Sequence, residues 1–320
     1  MTATSDARPG TRPPVATPGN GAALAPRTAR DSGRDTTPYR EALLRETAGL
    51  CLPDIDAALT GAPLYRATTP EGLLVLTLNG GQLPAEFLRR VHAFRLGQYV
   101  RQGWVDEAVA AERELWHEPY GEGAVRDFHT LVLERDSGRL RGYGTLALSA
   151  APEGTRLGDA AHRPFFIERD YGFRLEEHLG AGTASHAVGE GKRLVRDRDM
   201  PRSQAAASVP WWVYLAWAHA CLSVLERPGG AIVGDGKKNG AIHQLGLLGF
   251  DTRVLDLAPL PPAPGELFAP MWDQRERSYP FVLTDGGRLR PTLDFLTSVL
   301  TSGETGSVRA RLTAFLEAHA

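Results

Sequence analysis

Residues 190–195 read Glu-Gly-Lys-Arg-Leu-Val, an E-x-x-R run passing into apolar residues. The segments on either side of it decide the architecture. Upstream, residues 129–134 and 139–148 are β-rich runs joined by Arg135-Asp136-Ser137-Gly138. Asp-Ser-Gly supplies turn chemistry and a residue tolerant of positive φ, so the pair reads as a hairpin. Residues 187–195 form the next strand. Downstream, Ala231-Ile232-Val233 is a short buried strand, residues 239–248 a helix closed by Gly249, and residues 250–257 a returning strand. A hairpin, a strand and then a strand–helix–strand unit predict an α/β fold around a mixed sheet.

Working outward, residues 73–78 (LLVLTL) form a strand closed by Asn79-Gly80-Gly81. Pro84 opens a helix in which Phe87, Val91, Phe94 and Gln98 share one face. Residues 106–127 read as a mobile helix–loop, and residues 151–187 as a long polar insertion bearing glycines. Residues 210–226 are apolar nearly all round, which predicts a helix buried on most sides. Prolines 259, 261, 262 and 264 mark a boundary, beyond which lie an extended run at 279–283 and two helices starting at Pro291 and Ser307. The expected divisions are a disordered tail at 1–38, a core domain at 39–258 and a C-terminal helical extension at 259–320 packed on that core. The tail is rich in Pro, Gly, Thr, Ala and Arg, and such a composition cannot bury enough apolar surface to offset its ordering entropy.

Composition excludes several function classes. The net charge of −2 over 320 residues gives no basic field for nucleic acid. Only Lys192, Lys237 and Lys238 among the 36 basic residues are lysines. The tail lacks the apolar run of a secretory signal, and the apolar stretch at 209–225 carries His219 and is too short for a bilayer span. Two cysteines, Cys51 and Cys221, make no disulfide framework, so a cytoplasmic, reducing setting is expected. The nine histidines show no metal-ligand spacing, and no metal is expected. Gly234-Asp235-Gly236-Lys237-Lys238 fails the phosphate-loop pattern, because Ala231 and Lys238 stand at its first glycine and its Ser/Thr position.

Three further motifs stand in a fixed order with 190–193: Phe94-Arg95 through Tyr99 to Gly103-Trp104 (FRLGQYVRQGW), Gly142-Tyr143-Gly144-Thr145-Leu146, and a last helix ending Leu248-Gly249-Phe250. Together, over residues 73–257, they resemble the GNAT superfamily of acyltransferases. Within it they are most similar to acyl-homoserine lactone (autoinducer) synthases and N-acyl amino acid synthases. The resemblance implies a mixed sheet splayed at its centre with helices on both faces. It implies transfer of an acyl group from an acyl carrier protein or coenzyme A thioester onto the amine of an amino acid or related small molecule. No permanently bound cofactor is implied, only acyl-phosphopantetheine or acyl-CoA as co-substrate.

The resemblance also distributes roles. Glu190 is the candidate base. Arg193, Arg95, Trp104 and Tyr99 are candidate acceptor-binding residues, with Asp127 and Glu118 as acidic residues beside that site. His186 is the histidine expected nearest the chemistry. Arg196, Arg198, Arg202, Lys237 and Lys238 are candidates to meet an acidic carrier protein or a pantetheine phosphate.

Departures from the family matter too. Thr145 stands where the synthases have an arginine. Leu245 replaces the tyrosine that acetyltransferases use as an acid. Residues 196–206 lack the glycine loop that would hold coenzyme A pyrophosphate at a helix N-terminus, which tilts the reading toward a carrier-protein donor. An ordinary coenzyme A-dependent acetyltransferase and a degenerate domain that binds without turnover are the alternatives. For Glu190 and Arg193 themselves, the competing reading is an exposed charge pair on a strand.

The chemistry asks little of a protein. An α-amino group has a pKa of about 8, so removing its proton at neutral pH costs only on the order of 1–2 kcal/mol. One carboxylate suffices as base. The thioester brings its own leaving group, and the remaining help is positioning and polarisation of the carbonyl.

Overall fold

The computed structural model describes residues 35–272, 276–302 and 307–319, except the side chains of Glu122 and Arg193. The sequence-predicted tail therefore lies outside the described residues over 1–34. In chain order the elements are α1 (Thr37–Thr47), α2 (Ile55–Ala58), β1 (Tyr65–Thr68), β2 (Leu73–Asn79), α3 (Ala85–Arg101), α4 (Glu107–Glu112), β3 (Phe128–Glu134), β4 (Leu140–Leu148), α5 (Phe166–Tyr171), α6 (Glu176–Leu179), β5 (Val188–Arg196), α7 (Gln204–Leu225), β6 (Ala231–Gly236), α8 (His243–Leu247), β7 (Asp251–Val254), β8 (Tyr279–Thr284), α9 (Leu289–Thr301) and α10 (Val308–Ala318).

All eight strands form one sheet in the order β1-β2-β3-β4-β5-β6-β8-β7. β1 through β5 pair antiparallel, β5 and β6 run parallel, and β6, β8 and β7 pair antiparallel. The centre is splayed. The β5–β6 ladder covers only Val188↔Ala231, Gly189↔Ile232 and Glu190↔Val233, while the strands run on to Arg196 and Gly236. Past Glu190, β5 turns backbone groups toward β6 that the ladder no longer pairs. This is the mixed, centrally splayed sheet expected from the sequence, with the parting at the E-x-x-R run itself.

Local chemistry explains the central elements. β2 is buried on both faces, as its unbroken apolar run requires. The β3–β4 hairpin turns at Gly138, whose φ of +66° is open to glycine at no steric cost. α7 starts at Gln204, well before Pro210, because Ser203 caps it by accepting from Ala206 N–H at 3.1 Å. Pro210 lies inside the helix and forfeits one backbone hydrogen bond there.

α7 covers one face of the sheet with Trp212, Trp217 and Leu222, and α8, α9 and α10 extend that core through Leu248, Leu293 and Leu312. The opposite face carries α1, α3 and α4 over β2–β4, and α5 over β5, β6 and β8. Gly191 sits directly under α7. A Cβ there would meet Trp217 Cζ2 at 2.7 Å.

One expected division changes character. The sequence predicts residues 259–320 as an extension packed on the core, yet β8 lies inside the sheet, paired with β6 on one edge and β7 on the other. The proline run at 259–264 is a long connection within the fold, because a strand with two neighbours belongs to the sheet whatever punctuates the chain before it. Among the described residues no helix is long and apolar enough to cross a membrane.

Candidate functional site

A cavity of about 840 Å³ opens on the α3/α5 face, beside the point where β5 and β6 part. Strand alternation sets its floor. Glu190 and Lys192 of β5 point to this face with Thr145 and Ala147 of β4, and Asp235 of β6 joins them. A bulge then resets β5. Thr145 pairs with Lys192 and Tyr143 with Val195, so between those pairs two residues of β5, 193 and 194, face one of β4, Gly144. α3 contributes His92 and Arg95 to the wall, and the α5 segment contributes Phe165, Phe166 and Tyr171.

On the α5 side, two buried carboxylates hold the insertion in place. Glu190 is 3 % exposed; Oε1 accepts from Ile167 N–H at 2.7 Å and Oε2 from Phe166 N–H at 3.3 Å. Lys192 Nζ lies 3.4 Å from the same Oε2 and 3.8 Å from the centre of the Phe166 ring. Glu168 accepts from Phe165 N–H and Leu175 N–H, each at 2.9 Å. His162 bridges Glu168 at 3.1 Å and Ser185 Oγ at 3.0 Å. Charge-assisted bonds of this kind are the strong ones, and they tie the 162–175 segment to β5.

On the opposite side runs a hydrogen-bond chain. His129 Nε2 lies 2.8 Å from the carbonyl of Ala124, which only accepts, so that nitrogen carries the proton. Nδ1 then accepts from Tyr143 OH at 2.6 Å, and Tyr143 in turn accepts from Thr145 Oγ1 at 2.5 Å. Burial holds the His129 ring neutral, its pKa pushed down to about 4. Thr145 thus heads a neutral relay.

Arg95 is buried at 3 % exposure. It is paired with Glu118 at 2.9 Å and lies 5.3 Å from the centre of the Tyr143 ring. Burial opposes its charge most strongly, but the Glu118 carboxylate together with Tyr99 and Tyr143 outweighs that, and the net shift is upward.

Asp127 is a cavity acid with one oxygen unengaged among the described residues. Its Oδ1 accepts from Leu148 N–H at 3.0 Å, and no hydrogen-bond donor among the described residues reaches Oδ2. Burial raises its carboxyl to about 6. The Leu148 bond, Lys192 and Arg95 act against that rise, and Glu190 adds to it. Its field therefore reaches the same space that Glu190, Lys192 and Arg95 border.

The residues expected from the sequence divide. Glu190, Arg95, Glu118 and Asp127 do line the cavity. The backbone of Arg193 lies in β5 at the bulge, and its side chain lies outside the described residues. Tyr99 and Trp104 are corrected: neither lines the cavity. Tyr99 is fully buried against Trp104 and Phe268, with ring centres 5.8 Å away in each case, because its turn of α3 faces the core under α4. His186 is corrected too. It sits away from the cavity with Nε2 on Pro152 O, and the histidines at the cavity are His92 and His129.

The donor candidates stand elsewhere. Arg196, Arg198 and Arg202 are exposed at the end of β5 and before α7. Arg198 is pushed down by burial and by its neighbour Arg196, which places two cations close together. Lys237 is half-buried, and Lys238 Nζ rests 4.1 Å from the centre of the Tyr279 ring. Leu245 is buried in the core.

Sequence reasoning missed the His129–Tyr143–Thr145 relay and the Glu168 anchor. The alternation of His129 with Leu131 and Leu133 along β3 was the only signal for the first. Nothing in the insertion announced the second. Residues 106–127, expected as a mobile helix–loop, carry α4, capped by Asp106 through Ala108 and Val109 N–H, and supply Glu118 and Asp127. Among the described residues no group of three or more His, Cys, Asp or Glu is placed to hold a metal.

No family model matches the chain, and no curated protein matches it. Among solved structures, the acyl-homoserine lactone synthase LasI is 15% identical with a TM-score of 0.44, covering 69% of this chain and 94% of its own. The CoA-dependent acyl-homoserine lactone synthase MesI is 13% identical with a TM-score of 0.34, covering 72% and 96%. BjaI, a CoA-dependent acyl-homoserine lactone synthase solved with MTA, is 13% identical with a TM-score of 0.36, covering 74% and 97%. It is the strand order of the sheet, not these overlaps, that defines the fold.

Proposed function

We propose that the protein is an N-acyltransferase that moves an acyl group from a pantetheine thioester onto a small-molecule amine held in the cavity. One observation carries the reading: Asp127 lines the cavity at the parting of β5 and β6 with a single N–H on one oxygen, and burial pushes its carboxyl up to about 6. A base poised below neutrality is ionised at pH 7 and still close enough to an amine of pKa about 8 to take its proton, at a cost of about 3 kcal/mol. The amine nitrogen attacks the thioester carbonyl, the C–S bond breaks, and the thiolate leaves. Unpaired backbone N–H groups of β5 past Glu190 would polarise the carbonyl oxygen. In this scheme Glu190 holds the cavity wall, because both its oxygens already accept from α5, and Arg95 with Glu118 shapes the acceptor end.

The donor's acidic or phosphate-bearing part would meet Arg196, Arg198 and Arg202. A carrier protein bound there would be released by salt. Leu245 offers no proton to the departing thiolate, and that buried leucine is what favours the rival reading of thioester binding without turnover.

The test incubates the full chain with acyl-CoA or an acylated carrier protein and a panel of amines, with N-acyl products read by mass spectrometry. An N-acyl product that Asp127→Asn abolishes supports the proposal. Tight thioester binding with no transfer to any amine sinks it.

A further inference from the structure

His92 is a buried polar side chain that no protein group satisfies. It is 4 % exposed, and neither Nδ1 nor Nε2 has a hydrogen-bond partner among the described residues. Buried polar groups are paired with few exceptions, and each exception asks for a cause. The ring is not loosely placed. It stacks on Tyr120 with centres 4.2 Å apart at 18°, and meets the His129 ring edge-on at 6.2 Å. The carbonyl of His92 anchors the facing loop by accepting from Glu118 N–H. Rigid on three sides, the imidazole borders the cavity one helical turn before Arg95.

Its surroundings specify the partner. Burial lowers its pKa far below the ordinary range and Arg95 adds to this, so the ring is neutral. A neutral ring keeps one N–H donor, and Arg95 one turn on carries an Nε–H that also has no partner among the described residues, so the two donors together suit an anionic oxygen. Asp127 and Glu190 border the same cavity and favour a cationic amine.

We infer that His92 is a substrate-contacting residue that donates to the carboxylate of an amino-acid acceptor, whose amine lies toward Asp127. This rests on the acyl-transfer reading for the fate of the bound amino acid, but not for its binding.

The experiment is calorimetry on the full chain with the common L-amino acids and, for those that bind, the corresponding amines lacking the carboxylate. Wild type should prefer an amino acid over its decarboxylated amine. His92→Phe keeps the stacked ring without the nitrogens and should weaken amino-acid binding roughly tenfold to a hundredfold, the range for a hydrogen bond to a charged group. It should leave binding of the decarboxylated amine nearly unchanged, a split that general misfolding would not produce. His92→Gln, which retains an N–H donor, should recover part of the loss. ¹⁵N spectra of wild type should show the His92 ring resonances moving on amino-acid addition, independently of either variant. Equal affinity of wild type for amino acid and amine, or amino-acid binding by His92→Phe at wild-type strength, overturns the inference. So does the absence of binding by every amino acid at millimolar concentration. Amino-acid binding without any acyl product leaves the inference standing and removes the acyl-transfer reading instead.

Discussion

On the α5 side of the cavity, Glu168 and Glu190 together accept from Phe165, Phe166, Ile167 and Leu175 N–H, and His162 and Lys192 close the network. On the opposite side, among the described residues, Asp127 has one donor on one oxygen and His92 has none on either nitrogen. Both clusters are sunk into the same cavity, and both contain groups that are costly to desolvate. The difference lies in who satisfies them. A saturated cluster spends its hydrogen-bonding capacity on the chain and so holds structure. A cluster left open retains capacity for a substrate. By that criterion the acid best placed in the sequence motif, Glu190, is held by the chain through both oxygens, while Asp127 keeps one oxygen open among the described residues.

The largest expected effect tests the open side. Asp127→Asn should lower the rate of acyl transfer by roughly 10²–10⁴, the usual contribution of a general base. It should also stabilise the fold at pH 7. The folded pKa of about 6 lies above the unfolded value of about 3.9, so ionisation is disfavoured in the folded state. The associated stability is present below pH 4 and lost as pH rises through 6. Asparagine avoids that loss, a gain of about 1–2 kcal/mol after allowing for partial exposure. Chemical denaturation at pH 4 and pH 7 should show the gain only at the higher pH. An inactive variant less stable than wild type at pH 7 would put Asp127 among the structural residues.

The relay gives the next effect. His129 is neutral when folded down to about pH 4, whereas the unfolded chain protonates it near 6.5. The stability this group contributes is full above pH 6.5 and lost as pH falls toward 4, about 3 kcal/mol in all. Asp127 drifts the other way over part of that window, so the measurement is wild type against His129→Gln across pH 4–7. The gap between them should shrink on acidification. A constant gap would mean that the ring is not held neutral by the fold.

Glu190→Gln sharpens the comparison from the saturated side. Its amide can accept through one oxygen only, which leaves a donor facing a backbone N–H. Stability should fall by about 1–3 kcal/mol, and the rate should fall mainly through loosened substrate binding. Normal melting with a rate loss of 10² or more that fades at high pH would restore Glu190 as the base. The smallest effect is expected at Lys192→Met, about 0.5–1 kcal/mol, since the ring contact with Phe166 and the longer pairing with Glu190 are both modest.

Much of the fold was legible because its signals are local. The unbroken apolar run of β2, the Asp-Ser-Gly turn of the hairpin and the Gly249 stop after α8 each encode an element in a few neighbouring residues. The splay of the sheet was expected only through the resemblance, and its position at Glu190 came from the pairing of β5 with β6. The place of β8 was not, because a strand's neighbours are fixed by contacts distant in sequence, and residues 279–284 look the same at a sheet edge as between β6 and β7.

The candidate site divides in the same way. The sequence determined which residue types were available: Glu190 at the splay, Arg95 on an amphipathic helix, and acids at 118 and 127. Only the tertiary structure decided what each does. Whether a carboxylate holds a helix or waits for a proton depends on how many donors reach it. Those donors, Ile167 for Glu190 and Leu148 for Asp127, are backbone groups 23 and 21 residues away, brought together by the insertion and by the sheet. Burial did the rest. It neutralised His92 and His129 and raised Asp127, since a charge's cost of leaving water depends on its surroundings in space and not on its place in the chain.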